Sequence, residues 1–454
     1  MPEETDILIC GAGIAGVSAA YHLAVHHGRR DVWLVDERPP LSLTSDKSTE
    51  CYRNWWPGPG DAMVAFMNRS IDLLEALSIE TGNFFHLNRR GYLYVTSRAE
   101  KIPDFIRAAE EPPRLGAGPL RIHPGSGSDY QPADAERFLD QPDGADLLLD
   151  SNLIRTHFPY LSEQVVAALH VRRAGWFSAQ QLGAHLLDKA RQHGVRLVDA
   201  RVTGVNVSKG RVQSVELDGI TVVATRSFVN AAGPLLPEVG KMLGLDLPVY
   251  SELHLKVAFV DNLGIVPRHA PLLIWTDPQA LSWSADEREM LAEDEASRWL
   301  LEEMPPGVHT RPEGASTSRI ILILWEYHLD EIEPVWPLPL DPVYPDVALR
   351  GLSTMIPGLR AYFDKASRPN LDGGYYTKTR ENRPLIGPLP VEGAYLIGAL
   401  SGYGQMASMA AGELLAAHLT GSTLPDYAPA FDLSRYQDPG YLKLLGKWGD
   451  SGQL

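Results

Sequence analysis

A short apolar strand, residues 6–10, runs directly into Gly11-Ala12-Gly13-Ile14-Ala15-Gly16, and a second apolar run, residues 32–35, ends on Asp36. Between them Ile14, Val17, Tyr21 and Ala24 fall on one face of a helix expected over residues 14–27. Strand, glycine turn, helix, strand and acid in this order confine the start of the chain to a βαβ cradle for a dinucleotide. Gly11 permits the tight turn, Gly13 lets the backbone approach a pyrophosphate, and Gly16 lets helix and strand pack closely. The helix N-terminus then faces the phosphates. Asp36 stands about 20 residues past the last glycine, where a carboxylate accepts hydrogen bonds from a ribose 2′-OH. A βαβ turn without a ligand is the competing reading, and the completeness of the order favours the cradle.

The chain has 454 residues, too many for one hydrophobic core, so at least two domains are expected. Its 57 acids against 41 bases give a net charge of −16, which argues against nucleic acid and anionic membrane as general partners. The two cysteines, Cys10 and Cys51, make neither a disulfide framework nor a CxxC pair, which fits a reducing compartment. The histidines are scattered without metal-ligand spacing, so no metal is expected. The first strand starts within the opening ten residues and no apolar run approaches the length of a membrane span, so a cytoplasmic location is expected.

Helices are expected over 61–80 and 178–193, and a hairpin turning at Lys209-Gly210 over 202–217. A strand over 227–230 runs into Ala231-Ala232-Gly233, and another over 394–398 runs into Ser401-Gly402-Tyr403-Gly404 and a helix over 406–419. Residues 249–375 are strand-rich, with an acidic helical segment over 285–303. Residues 110–147 accumulate Pro, Gly, Asp and Ser and are expected to be a loop insertion.

Three glycine turns after strands, with a strand-rich block between the second and third, resemble the flavoprotein family of D-amino-acid oxidase, glycine oxidase, monomeric sarcosine oxidase and dimethylglycine dehydrogenase. Asn230-Ala231-Ala232-Gly233-Pro234, Arg383-Pro384-Leu385-Ile386-Gly387 and Ser401-Gly402-Tyr403-Gly404 carry the resemblance with the N-terminal fingerprint, over nearly the whole chain. It implies an α/β fold in which a Rossmann-like FAD domain is assembled from about 1–85, 178–248 and 376–435. A mixed-sheet substrate domain would come from 86–177 and 249–375, with 436–454 as a tail. It implies that FAD lies along Gly11, Gly13, Ile14, Ala15 and Asp36, with Glu37 and Arg38 beside the adenosine. Thr44, Ser45, Ser48 and Thr49 would follow the phosphates and flavin. Val202, Ala232 and Gly233 would sit near the adenosine. Gly398 and the turn Gly402, Tyr403, Gly404, Gln405 and Met406 would lie by the isoalloxazine. The helix beginning there would aim its positive end at the flavin and stabilise charge on reduction. Relatives that bind flavin covalently use a cysteine where this chain has Gly374, or a histidine in a turn that here, residues 44–53, has none. Noncovalent FAD is therefore expected. A lysine that holds the substrate carboxylate in sarcosine oxidases is here Met406.

The implied reaction oxidises a C–H bond beside an amine nitrogen, passing hydride to flavin N5 and leaving an imine that water hydrolyses. The expected partners are an amine or amino-acid substrate and O2 or another electron acceptor. Arg53 is the candidate carboxylate anchor, with a structural ion pair as its alternative. Tyr376 and Tyr403 are expected beside the flavin. His254 shares one face of a strand with Lys256, facing pocket or solvent, and Lys47 is a candidate cation against the flavin, with a phosphate contact or solvent exposure as its alternatives. Trp325, Trp55 and Trp56 are candidate walls. Two other readings stand: oxidation of a hydroxy acid, with His254 or His309 as base, and a flavin-carrying electron-transfer subunit.

Overall fold

The computed structural model describes residues 3–125, 127–327, 330–363, 365 and 369–446. Two large sheets organise them. In the first, Glu3–Cys10 pairs in parallel with Val32–Asp36 on one side and Thr221–Asn230 on the other. Ala394–Gly398 is parallel to Thr221–Asn230 in turn. Cys10, Asp36, Asn230 and Gly398 therefore end at one edge, and the carboxyl edge of a parallel sheet is where such folds hold ligands. Thr221–Asn230 is long enough to divide its free side: residues 221–224 pair with Arg211–Leu217, and residues 228–230 with Ala394–Gly398. The hairpin of Val202–Ser208 and Arg211–Leu217 turns at Lys209 and Gly210, both with positive φ, which suits a tight turn.

The helices Ile14–Tyr21, Ala62–Glu80, Ala179–Gln192 and Gly404–Thr420 bury their apolar faces in one core with Ile7 and Ile9. The first and last of these touch backbone to backbone. A Cβ at Gly412 would stand 2.3 Å from Ser18 Oγ, and that hydroxyl donates to the Ser408 carbonyl at 2.7 Å. The helix expected over 14–27 keeps α geometry only to Tyr21 and continues as a π-helical turn, His22–His26.

The second sheet has nine strands. In spatial order they are Asn370–Lys378, Tyr250–Val260, Ile320–Leu324, His309–Glu313, Leu272–Trp275, Tyr92–Thr96, Ala167–Val171, Ala145–Leu148 and Leu120–His123. Its edge strand meets the loop that follows Val32–Asp36: Thr44 Oγ1 donates to the Tyr375 carbonyl at 2.9 Å.

Three expectations need correction. Residues 110–147 are not loop throughout: the helix Ile102–Arg114 runs into them, and Leu120–His123 and Ala145–Leu148 pair at the sheet edge. The reason is a polar clamp invisible to composition. Asp146 accepts from Arg121 at 2.6 and 2.9 Å and from Arg172 at 3.1 Å, and lies 2.9 Å from His123 Nε2. The helix expected over 285–303 stops at Glu293, after a Ser284–Glu287 capping box has started it. Residues beyond 436 also fold: the helix Pro439–Leu445 brings Tyr441 to Glu381, beside Arg435 and Tyr436. Residues 447–454 lie outside the described residues.

Candidate active site

A long cavity runs along the carboxyl edge of the first sheet. Gly11, Gly13, Ile14 and Ala15 wall one end with Asp36 and Arg38. Thr44, Ser45 and Ser48 form its side, and Ala232 and Gly233 face them. Gly398, Gly402, Gly404 and Gln405 close the far end. A smaller cavity shares Asp36, Arg38 and Ala232 and extends to Glu37 and Val202. Three glycine turns from distant parts of the chain thus border one groove. Gly16 lies beneath it, where a Cβ would stand 1.9 Å from the Gly11 carbonyl oxygen.

The groove has the donor set that FAD needs. Both helices that start on it, Ile14–Tyr21 and Gly404–Thr420, begin without a side-chain cap at the N-cap position and so present their positive ends to the groove; Ile14 N donates to Ser45 Oγ and Val17 N to the Gly13 carbonyl, each at 2.9 Å. Beside the second helix, Ser401 Oγ and Gln405 Oε1 are buried without a hydrogen-bond partner. An uncapped helix end with two orphaned oxygens matches the polar rim of an isoalloxazine. Asp36 is steadied by N–H bonds from Ala12 at 2.7 Å and Arg38 at 2.9 Å, while burial pushes its pKa up.

A second cavity lies beyond Tyr376 and Gly402, which wall both spaces. Thr49, Arg53, Tyr403 and Met406 border it. So do His309, which the sequence suggests only as a base for hydroxy acids, and Glu326, for which the sequence suggests no role. Arg53 Nε donates to the Trp55 carbonyl at 3.2 Å, and its guanidinium lies 4.4 Å over the Trp56 ring. Trp56 meets Tyr403 edge-on, with ring centroids 5.1 Å apart. The Tyr403 hydroxyl donates to the Asn382 carbonyl at 2.8 Å.

Sheet register explains the face opposite the groove. Lys256 is paired with Asp372 and Leu324, and Leu324 with His309, so these side chains form one row across four strands. Arg311, two residues after His309, is 1 % exposed and reaches the segment after Thr44–Lys47: its guanidinium donates to the Thr49 carbonyl at 2.8 Å and to Glu50 at 3.1 Å. Neither contact carries a local sequence signal, because each joins segments over 200 residues apart.

His254 sits one layer behind the cavity. It stacks on Tyr376 and bridges Glu252 Oε2 and Glu326 Oε1, each at 3.0 Å. Burial opposes its charge, but the two carboxylates outweigh burial and hold its pKa above the ordinary value. Burial likewise opposes charge on Glu326, yet His254 and His309 pull its pKa down to about 2. Lys47 does not border either cavity. Its ammonium is committed to Asp46 at 2.7 Å and Asp372 at 2.9 Å. Lys256 contacts the loop instead, donating to the Ser48 carbonyl at 3.0 Å. Trp325 is core beside a separate cavity rather than a wall of this one.

The fold and groove define a flavoprotein, and the chain belongs to the family described as DAO, FAD dependent oxidoreductase, whose model matches residues 6–418. Dimethylglycine dehydrogenase, mitochondrial, of Rattus norvegicus is 25 % identical over 458 residues, covering 98 % of this chain and 45 % of the relative. The chain thus spans about half the length of the curated relatives it first matches. Among solved structures, L-proline dehydrogenase from P. horikoshii superposes with a TM-score of 0.73 at 21 % identity, covering 96 % of this chain and 99 % of that one. Glycine oxidase from Geobacillus kaustophilus superposes with a TM-score of 0.71 at 17 % identity, covering 95 % and 99 %. Among the described residues no helix is long and apolar enough to cross a membrane.

Proposed function

We propose that this FAD-dependent oxidoreductase oxidises the C–H bond beside the nitrogen of a secondary or tertiary amine or amino acid. The observation that carries the reading is the shared wall: Tyr376 and Gly402 border both the nucleotide groove and the cavity holding Arg53. A ligand in the second space therefore lies against whatever occupies the end of the first. The groove residues would hold FAD, and FAD bound there would supply the two-electron oxidation of that C–H bond, with water hydrolysing the imine product. Arg53 grips a substrate carboxylate, and the Trp56 and Tyr403 rings around it exclude water and fix the pose. Burial keeps the Tyr376 and Tyr403 phenols neutral. The positive end of Gly404–Thr420, which no side chain caps, stabilises negative charge at the groove's end. With glycine at 374 and no histidine in 44–53, the cofactor is held noncovalently. The first sheet and its helices hold FAD, and the second sheet presents the substrate. The relatives named for dimethylglycine, proline and glycine support an amine or amino acid as the substrate class.

Anaerobic titration with dimethylglycine, sarcosine, L-proline, glycine and a set of 2-hydroxy acids tests the reading. Bleaching of the visible flavin band by secondary or tertiary amines is expected. Bleaching by hydroxy acids alone moves the assignment to C–OH oxidation, and no bleaching by any compound moves it to an electron-transfer subunit. Mixing the reduced protein with O2 then separates oxidase from dehydrogenase.

A further inference from the structure

We propose that His309 is the base that takes the proton from the substrate's ammonium nitrogen, in the cavity it shares with Arg53. The inference rests on the amine reading above. An amine is mostly protonated at neutral pH, and an ammonium has no lone pair with which to assist departure of hydride from the neighbouring carbon. Unless only the small free-base fraction in solution is used, a group in the site takes that proton.

His309 is 4 % exposed and borders the cavity. Its Nδ1 lies 2.8 Å from the Gly307 carbonyl oxygen. A carbonyl only accepts, so Nδ1 carries the hydrogen and Nε2 keeps its lone pair. No described residue hydrogen-bonds Nε2. Gly307 is two residues away in the same segment, so the tautomer is set by backbone and does not depend on the substrate.

The charges around the ring suit a base that is neutral at rest. Burial lowers the His309 pKa, Glu326 raises it, and His254 and Arg53 lower it further; the net direction is down. Glu326 lies two residues past Leu324, the cross-strand partner of His309, so a carboxylate stands on the same face to stabilise the imidazolium once formed. The other ionisable groups facing the cavity stay neutral: burial pushes up the Tyr92, Tyr376 and Tyr403 phenols and the Cys51 thiol.

The alternatives are poorer bases. Glu326, held near 2, binds protons too weakly. His254 already has a carboxylate against each ring nitrogen. In the step assigned to His309 the ammonium N–H bond breaks and its electron pair stays on nitrogen. The proton bonds to Nε2, and the imidazolium returns it to water after product leaves.

Two measurements test the assignment. In holoenzyme labelled with 15N-histidine, the signal lost in His309→Asn is expected to report a neutral ring protonated at Nδ1 at neutral pH. An imidazolium, or a ring protonated at Nε2, overturns the proposal. Second, flavin reduction by dimethylglycine, sarcosine or L-proline is followed anaerobically across pH. His309→Asn is expected to retain FAD, to be slowed on the order of 100-fold at neutral pH, and to recover as rising pH deprotonates the amine itself. Equal slowing at every pH, or an unaltered profile, overturns the base while leaving the amine reading intact. If none of these amines reduces the wild-type flavin, both fall.

Discussion

His254 lies flat on Tyr376, with ring centroids 3.9 Å apart and planes 18° from parallel. The stack joins the cavity wall to a buried charge array, because the same imidazole touches Glu252 and Glu326. Tyr376 is therefore positioned by electrostatics one layer behind it.

This array makes stability depend on pH in a defined window. His254 has a folded pKa above 6.5, so its contribution is complete below 6.5 and is lost as pH rises through the folded value. Glu326 is depressed from 4.5 to about 2, so its contribution is present above 4.5 and lost as pH falls toward 2. His254→Gln is expected to lower stability by about 3–5 kcal/mol where both charges exist. The Tm difference from wild type is expected to be greatest between 4.5 and 6.5 and to close at either side. A difference that is constant with pH contradicts the account.

Arg53→Leu is expected to raise the Kd of a simple carboxylate such as propionate, read from the flavin spectrum, by about 100-fold, or about 3 kcal/mol. Binding of an amine without a carboxylate is expected to change little. Equal loss for both ligands points to collapse of the Trp56 contact instead.

Two glycines of the fingerprint have separable roles. A Cβ at Gly16 meets the Gly11 carbonyl oxygen at 1.9 Å, so Gly16→Ala is expected to lower the Tm of apoprotein and holoprotein alike. A Cβ at Gly13 meets only Ser45 Oγ, at 3.3 Å. Gly13→Ala is expected to leave the apoprotein Tm near wild type while the FAD released per chain on denaturation falls sharply.

Glu381 is fully buried, and its Oε1 is 2.8 Å from Arg435 Nη2 and 2.8 Å from the Tyr436 hydroxyl. Arg435→Leu leaves that carboxylate without its cation and is expected to cost about 3–5 kcal/mol. Adding Glu381→Leu is expected to recover much of the lost Tm, since the uncompensated charge is then gone.

The nucleotide groove is largely legible in the residues themselves, and the cavity beside it is not. Gly11, Gly13 and Asp36 announce themselves because turn geometry and a βαβ unit are local properties. Tyr376 and Tyr403 stand out because they flank the two C-terminal motifs. Lys47 misleads because its neighbours in sequence say nothing of Asp372, which takes up its ammonium. The edge strand Leu120–His123 is hidden by the prolines and glycines around it, since what holds it is Asp146, outside any local pattern.

By itself the sequence determined the dinucleotide cradle, because strand, glycine turn, helix and acid lie within one short stretch, while the class of chemistry came through the resemblance to a flavoprotein family. Only the tertiary structure decided which side chains border the cavity beside the groove. His309 and Glu326 face Arg53 through the register of a nine-stranded sheet whose strands come from well-separated parts of the chain. Register is a property of paired strands, and no single strand carries it.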